Sequence, residues 1–145
     1  MSDPTPLADR VRDFLAAPGR FATLATLDPD GAPRQAVVWY RLDPDGLITV
    51  NSAEGRRWPA NLRRDPRCSL TVPDGADGYA FVALVGRVAE IVDDQAVAQA
   101  DIAAFARGYH ADDPEKAERL IVRFATQHRV SFRIEVVAVH DHLED

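Results

Sequence analysis

Cysteine and lysine are nearly absent from this sequence of 145 residues. The single cysteine, Cys68, has no second cysteine with which to form a disulfide inside the chain. One unpaired thiol is typical of proteins that work in a reducing cytoplasm, so we expect a cytoplasmic protein. Of the 17 basic residues only Lys116 is a lysine, and this bias weakens any argument from one particular arginine.

Several other signals are missing, and each absence excludes a class of protein. No apolar run is long enough to cross a membrane, and residues 1–4 do not begin a basic-then-apolar signal, so we expect no membrane span and no secretory signal. The net charge of −6 argues against nucleic-acid binding. No nucleophile elbow surrounds a serine, which argues against serine hydrolysis. His140 and His142 form a polar C-terminal pair without a third ligand, so we predict no metal site.

Length and periodicity predict one mainly β domain over residues 1–145. With 46% hydrophobic residues, a chain of this size can bury a core. The patterns predict, in order, a helix over 7–17, strands over 21–27, 34–42 and 47–51, a helix over 58–64, strands over 68–72 and 79–92, a helix over 94–107, a helix from Asp113, and a strand over 129–139. Turn signals at 28–31 and 43–46 indicate an antiparallel meander, and Gly86 indicates a bulge. Short helices inserted among strands favour a closed or partly closed antiparallel barrel, an α+β fold.

The chemistry-bearing segment of the chain is a local cluster of arginines. Between Glu54 and Arg67 the charge is +3, while the rest of the chain carries −9. Small polar residues, Asn51 and Ser52, end a strand there, and Arg56 and Arg57 precede the short helix predicted over 58–64. Free backbone N–H groups at a helix start, together with arginine side chains, form a clamp for phosphate or carboxylate. The alternative is a solvated helix face with surface ion pairs.

The order of several short pieces resembles one protein superfamily. These pieces are FATLATL at 21–27, a turn at 28–33, VVWY at 37–40, Asn51-Ser52, and NLRRDP at 61–66. Together they resemble the pyridoxamine 5′-phosphate oxidase-like superfamily, and most of all its branch of flavin/deazaflavin oxidoreductases that use coenzyme F420. The resemblance covers about residues 7–139. It implies an antiparallel split β-barrel with short flanking helices, which forms a homodimer with the cofactor at the subunit interface.

The same resemblance implies which residues bind the cofactor. The phosphate is expected near Arg56 and Asn61, and the long anionic tail of F420 near Arg63, Arg64 or Arg129. The partner subunit is expected to contribute Tyr79 and Phe81. The ring system is expected along two strands, near Gln35, Ala36, Val37, Val38, Asn51 and Ser52.

One position departs from the family pattern. Many relatives carry a lysine two residues after the first arginine of the clamp, where this chain has Trp58. We hypothesise that Arg57 supplies the missing charge and that Trp58 covers the cofactor or packs beneath it. Trp58→Lys is then expected to retain or improve affinity. Trp39 either lines the ring pocket or packs in the barrel, and ordinary packing is the favoured interpretation.

Three functions remain open from the sequence. The first is an enzyme that transfers hydride between F420 and a small unsaturated or conjugated organic substrate. The second is an FMN-dependent oxidoreductase or oxidase of the same fold, and the third is a non-catalytic cofactor-binding protein. No side chain is identified as a catalytic acid or base, as expected where the cofactor carries the chemistry. The sequence specifies neither the substrate nor the direction of transfer.

Overall fold

The structure is a computed structural model, and it describes residues 3–143. Four helices and seven strands follow one another in chain order. They are α1 (Asp9–Ala16), β1 (Ala22–Leu27), β2 (Pro33–Val38), β3 (Arg41–Leu42), β4 (Ile48–Ala53), α2 (Arg57–Arg64), β5 (Arg67–Pro73), β6 (Phe81–Val92), α3 (Gln95–Tyr109), α4 (Pro114–Phe124) and β7 (Arg129–His142).

The strands form one sheet in the order β2-β1-β5-β6-β7-β4-β3, and all neighbouring strands are antiparallel. Its two edge strands, β2 and β3, are separated in the chain by only Trp39 and Tyr40. Three Cα steps, from Val38 to Arg41, span about 11 Å at most. The sheet must therefore curl until its edges approach each other, which confirms the predicted antiparallel split β-barrel with flanking helices.

The core lies inside this curled sheet. Along β5, buried and exposed residues alternate strictly, as expected for a strand with one face on a core. Helices α1 and α2 pack their apolar sides against the same interior. The largest fully buried side chains include Leu15 of α1, Leu24 of β1, Leu62 of α2, Leu70 of β5 and Phe132 of β7.

Three sequence-based boundaries were wrong, each because of tertiary contacts. The strand predicted over 34–42 is two strands, since Trp39 and Tyr40 carry the chain from one sheet edge to the other. The last strand continues to His142 because β6 pairs with it to the end, so His140 and His142 are strand residues and not a polar tail. Strand β6 begins at Phe81, and Tyr79 lies in the preceding loop.

The two helix starts predicted near residues 94 and 113 are confirmed by their caps. Asp94 accepts a hydrogen bond from the backbone of Ala96, and Asp113 accepts one from the backbone of Lys116. In α4, however, only Ala117 is buried, and the apolar residues predicted to face inward, Leu120, Ile121 and Phe124, are half-buried. The reason is that α4 packs on α3, while α3 packs on β4 and β7.

Gly86 lies at a bulge, as predicted, where the pairing of β6 with β7 shifts register. A Cβ atom at this position would lie 2.6 Å from Cγ2 of Ile134, a side chain with no room to move in the core. We therefore expect Gly86→Ala to lower the free energy of unfolding by about 1–3 kcal/mol. Urea denaturation followed by circular dichroism measures this change.

The matched control for Gly86 is Gly108, which lies near the end of α3, where a Cβ atom would have nothing within 4 Å. There, Gly108→Ala is expected to raise the free energy of unfolding by about 0.5–1 kcal/mol, because alanine is the better helix former. Equal effects of the two substitutions would contradict the steric explanation for Gly86.

Candidate anion pocket

A pocket of about 200 Å³ lies where the end of β4 meets the start of β7 and the start of α2. Its walls combine aromatic and aliphatic side chains with one amide and two arginines. The lining residues are Val37, Val38, Trp39, Asn51, Arg56, Trp58, Ile102, Phe124 and Arg129. The sequence-based prediction had named six of them: Val37, Val38, Asn51, Arg56, Trp58 and Arg129. A cavity with an apolar wall and a cationic wall suits a ligand that has a planar ring and an anionic group.

Arg129 is the most unusual of these residues, because it is charged and only 5% exposed. Its Nε donates to Oδ1 of Asn51 (3.0 Å) and its Nη1 donates to Oε1 of Gln127 (2.6 Å). The guanidinium carbon lies 4.7 Å from the centre of the Phe124 ring. Among residues 3–143, no carboxylate lies within the 4.0 Å ion-pair distance of Arg129 or of Arg56. Both positive charges at the pocket therefore lack a protein counter-ion within the described part of the chain.

The two arginines also act on each other. Burial, and after it the charge of Arg56, lowers the pKa of Arg129 to about 10. Such a shift means that burial and the neighbouring positive charge disfavour the charged form of Arg129. An anion placed between the two guanidinium groups removes this penalty, which makes the pocket electrostatically complementary to phosphate or carboxylate.

The start of α2 adds backbone donors beside the pocket. The helix begins at Arg57, and the residue before it, Arg56, makes no side-chain cap. The first N–H groups of an α-helix have no partner within the helix, so they are available to an anion. Arg56 is thus the residue directly before these backbone donors, and its side chain also lines the pocket.

The aromatic wall of the pocket is held in place by a stack of rings. Trp39 stacks on Tyr109 (centroids 5.1 Å apart, 9° between planes), and Tyr109 stacks on Phe21 (5.4 Å, 21°). The Tyr109 hydroxyl donates to the carbonyl of Arg20 (2.5 Å) and accepts from the backbone N–H of Tyr40 (3.1 Å). Trp39 therefore lines the pocket while it also packs on a fixed aromatic support, and its contact with a cofactor ring stays a prediction.

Other predicted residues lie beside the pocket without lining it. Gln35 and Ala36 belong to β2, and Gln35 is exposed. Ser52 is buried at the end of β4, where its hydroxyl donates to the carbonyl of Ala53. Arg57 is exposed at the first position of α2. Their contacts with a cofactor remain predictions.

Asn61 has a clear structural role. Its Nδ2 donates to Oγ1 of Thr26 (3.0 Å) and to Oδ1 of Asp28 (2.9 Å), and its Oδ1 accepts from Arg64 (3.0 Å). Hydrogen bonds from Arg34 and then from Asn61 lower the pKa of Asp28 to about 2. These bonds fasten α2 to β1, so the Asn61 amide is engaged within the protein and its contact with a phosphate stays a prediction.

The arginine cluster divides into two groups. Arg63 donates to Glu54 and Asp93, and Arg64 donates to the carbonyl of Leu27 and to Asn61. Arg67 pairs with Asp65 (2.8 Å). These three arginines therefore agree with the alternative interpretation from the sequence, a solvated helix face on which the side chains pair locally. Arg56 and Arg57 differ, because no ion pair involves either of them within residues 3–143.

Tyr79 and Phe81 lie away from the pocket in this chain. Phe81 is opposite His142 at one end of β7, whereas Asn51 is opposite Ser131 near the other end. The stretch of β7 from Ser131 to His142 corresponds to about 35 Å of strand. The ring of Phe81 instead stacks on His142 (4.7 Å). Within this chain neither Tyr79 nor Phe81 lines the pocket, and the expectation that a partner subunit contributes them stays a prediction.

Sequence reasoning missed the lining residues Ile102 and Phe124. It also missed polar residues of α3 and of the start of β7 that lie behind the pocket. Gln95 contacts the backbone of Arg129 twice, accepting from its N–H (3.0 Å) and donating to its carbonyl (2.7 Å). Asp101 and Ser131 are buried behind Asn51. The spacing along the chain could have indicated that one side of α3 faces the site. On that side Gln95, Ala98, Asp101 and Ile102 recur at helical intervals.

The single cysteine of the chain and one cluster of two carboxylates with a histidine lie outside the pocket. Cys68 is buried, and burial raises the pKa of its thiol to about 12, so it is a packing residue. Within residues 3–143, one group of three potential metal ligands lies close together, the exposed Glu54, Asp93 and His128, and Arg63 already donates to both carboxylates. No helix in that range is both long and apolar enough to cross a membrane.

Comparisons with known proteins agree with this architecture. The family model described as pyridoxamine 5′-phosphate oxidase matches residues 7–140. An F420 reductase has a similar structure, with a TM-score of 0.71 and 20% identity over 94% of this chain and 98% of the other. A conserved hypothetical protein from Mycobacterium tuberculosis gives 0.69 and 25% over 98% and 89%. The heme storage protein HutZ from Vibrio cholerae gives 0.67 and 15% over 94% and 95%. Neighbours at such low identity show the shared fold.

Proposed function

Because this chain belongs to the pyridoxamine 5′-phosphate oxidase family, we propose that it is a cytoplasmic oxidoreductase that binds coenzyme F420 in the anion pocket. It transfers hydride between this cofactor and a small unsaturated or conjugated organic substrate. The observation that carries the proposal is Arg129, a buried arginine without a counter-ion among the described residues, which lies beside an aromatic wall. A structural arginine is normally paired when it is buried, so this one fits a ligand's charge.

The pocket residues divide the work of binding such a cofactor. Arg56, Arg129 and the start of α2 hold the anionic part, and Trp39 with Val37 and Val38 packs against the ring. When bound, the deazaflavin ring supplies the hydride chemistry. No histidine, cysteine or carboxylate is found among the described residues that line the pocket, so these side chains bind, orient and exclude water.

The experiment that tests the proposal is a titration of the purified protein with F420 and, in parallel, with FMN. Isothermal titration calorimetry measures the two affinities. We expect F420 to bind at least about tenfold more tightly than FMN, a difference of about 1.4 kcal/mol. If FMN bound more tightly than F420, the cofactor would be identified as a flavin and not as F420. Failure of both to bind would overturn the oxidoreductase proposal and favour a different ligand for the pocket.

We further propose that two copies of the chain complete the site. The pocket of one protomer measures about 200 Å³, below the 300–1,000 Å³ of typical ligand sites. The outer face of β6 carries the apolar side chains Phe81, Ala83 and Val85, of which Val85 is 50% exposed. Tyr79, in the loop before β6, is 61% exposed. A second copy on this face places its Tyr79 and Phe81 against the cofactor.

The dimer proposal predicts a specific loss for a residue far from the pocket. Phe81→Ala is expected to weaken F420 binding by about tenfold, because an aromatic contact from the second copy is lost. The control is Val122→Ala on the outside of α4, where the side chain is 69% exposed, and it should leave affinity unchanged. Light scattering should give twice the 16.0 kDa of one chain. A monomer that binds F420 normally would contradict this arrangement.

A further inference from the structure

A directional chain of hydrogen bonds runs from α3 to the guanidinium of Arg129. Asn51 donates through Nδ2 to the carbonyl of Ala98 (2.9 Å) and to Oγ of Ser131 (2.9 Å), and its Oδ1 accepts from Nε of Arg129 (3.0 Å). Ser131 in turn donates to Oδ2 of Asp101 (2.7 Å). Ser131 has no exposed surface, and Asp101 and Asn51 are also buried.

The direction of every bond in this chain follows from its acidic end. The carboxylate of Asp101 can only accept, so it takes the single hydroxyl proton of Ser131. The Ser131 oxygen must then accept from its other neighbour, which is the NH₂ group of Asn51. With its nitrogen held by Ser131 and Ala98, Asn51 presents its oxygen to Arg129. A flipped amide would set N–H against N–H and lose both donor contacts.

We propose that Ser131 and Asp101 are positioning residues which, through Asn51, hold Arg129 in the orientation that binds the anionic group of the ligand. This inference rests on the proposed function for the identity of that ligand. Asp101 of α3 and Ser131 of β7 thus affect the affinity of the pocket, although neither residue lines it.

The separation of Asp101 from Arg129 leaves the positive charge of Arg129 available to a ligand. A carboxylate in direct contact with Arg129 would neutralise the guanidinium and compete with an anionic ligand. Asp101 is separated from Arg129 by Ser131 and Asn51, and its other oxygen accepts from Arg41 (3.1 Å). The acid therefore orients Arg129 through neutral groups while its own charge is balanced by Arg41, and the positive charge at the pocket stays available.

A matched control lies in a neighbouring part of the same buried polar network, which Arg41 joins to Asp101. Thr49 also has no exposed surface, and its hydroxyl donates to a buried carboxylate, Oδ2 of Asp43 (2.5 Å). Asp43 pairs with Arg41 and Arg133 and does not reach Arg129. Thr49→Val and Ser131→Ala thus remove equivalent buried hydroxyl groups, of which only one lies on the path to the pocket.

The first measurement is the affinity of the full-length variants for F420. We expect Ser131→Ala to weaken binding about three- to tenfold, the effect of losing the hydrogen bond from Asn51 that orders the group that binds the ligand. Thr49→Val should stay within about twofold of the original protein although it loses a comparable buried bond. Equal losses for Ser131→Ala and Thr49→Val would overturn the proposal, because a general loosening of the fold would then account for both.

The second measurement needs no cofactor. Nitrogen-15 NMR detects the Nε–H of a buried, hydrogen-bonded arginine as a slowly exchanging signal, which is assigned to Arg129 by its disappearance in Arg129→Lys. In Ser131→Ala this signal should exchange with water at least about tenfold faster, because Asn51 no longer holds the group. In Thr49→Val it should not change.

The two measurements separate the two claims. If the original protein binds no F420 but Ser131→Ala frees the Arg129 signal, the proposed function fails and the positioning role stands. If F420 binds and the Arg129 signal is the same in Ser131→Ala, the positioning role fails and the proposed function stands.

Discussion

Arg129→Gln is expected to weaken F420 binding by about 10- to 100-fold while the ligand-free protein melts at the same or a higher temperature. The loss follows from removal of a charge-assisted hydrogen bond, which is worth about 1.5–3 kcal/mol. The gain in stability follows from removal of a buried charge that has no counter-ion among the described residues. Glutamine retains an N–H donor for Oδ1 of Asn51, so the neighbouring network keeps its contacts. Calorimetric titration and thermal denaturation measure the two quantities.

Two other arginines serve as comparisons for this result. Arg67→Gln removes a surface arginine that pairs with Asp65 beyond the end of α2, and it should leave affinity within about twofold. Arg56→Ala removes the second cation of the pocket and is expected to weaken binding more than Arg67→Ala does. If all of these variants lost affinity equally, the arginine cluster would act only as a diffuse field, and the pocket would have no specific role.

Trp58→Lys is expected to lower the free energy of unfolding by about 3–5 kcal/mol, the usual cost of deleting a buried tryptophan. Trp58 is 6% exposed, and its ring centroid lies 5.8 Å from that of Phe132 in the centre of the barrel. A lysine here would also add a third positive charge beside Arg56 and Arg129. A loss of this size is a large part of the stability of a typical domain.

This result would reverse the expectation from the sequence that lysine at position 58 retains or improves affinity. The control is Trp58→Phe, which keeps an aromatic ring in the core and should cost about 1–2 kcal/mol. It also leaves Trp39 as the single tryptophan, so that quenching by a ligand reports on the pocket wall. If the Trp58→Lys protein were as stable as the original and bound F420 more tightly, position 58 would tolerate lysine and the expectation from the sequence would hold.

Local chemistry along the chain was sufficient to predict the class of fold. Turns at 28–31 and 43–46 contain Gly31 and Gly46 with positive φ, which the sequence signals there had indicated. Asp94 and Asp113 cap the helices that they were predicted to begin. The register shift at Gly86 was likewise foreseeable, because a glycine inside a long apolar strand commonly marks a bulge. Such features depend on residues within a few positions of one another.

The pocket was only partly predictable, for a physical reason. The sequence alone determined a curled antiparallel β-protein with a cationic segment before a short helix. Only the tertiary structure decided that Nε of Arg129 donates to Asn51, 78 positions earlier in the chain, and that Ser131 and Asp101 lie behind them. It also decided that Trp58 belongs to the core and that Arg63 is already paired. Periodicity specifies which side of a strand is buried, whereas burial without a counter-ion depends on distant segments that meet only when the sheet curls.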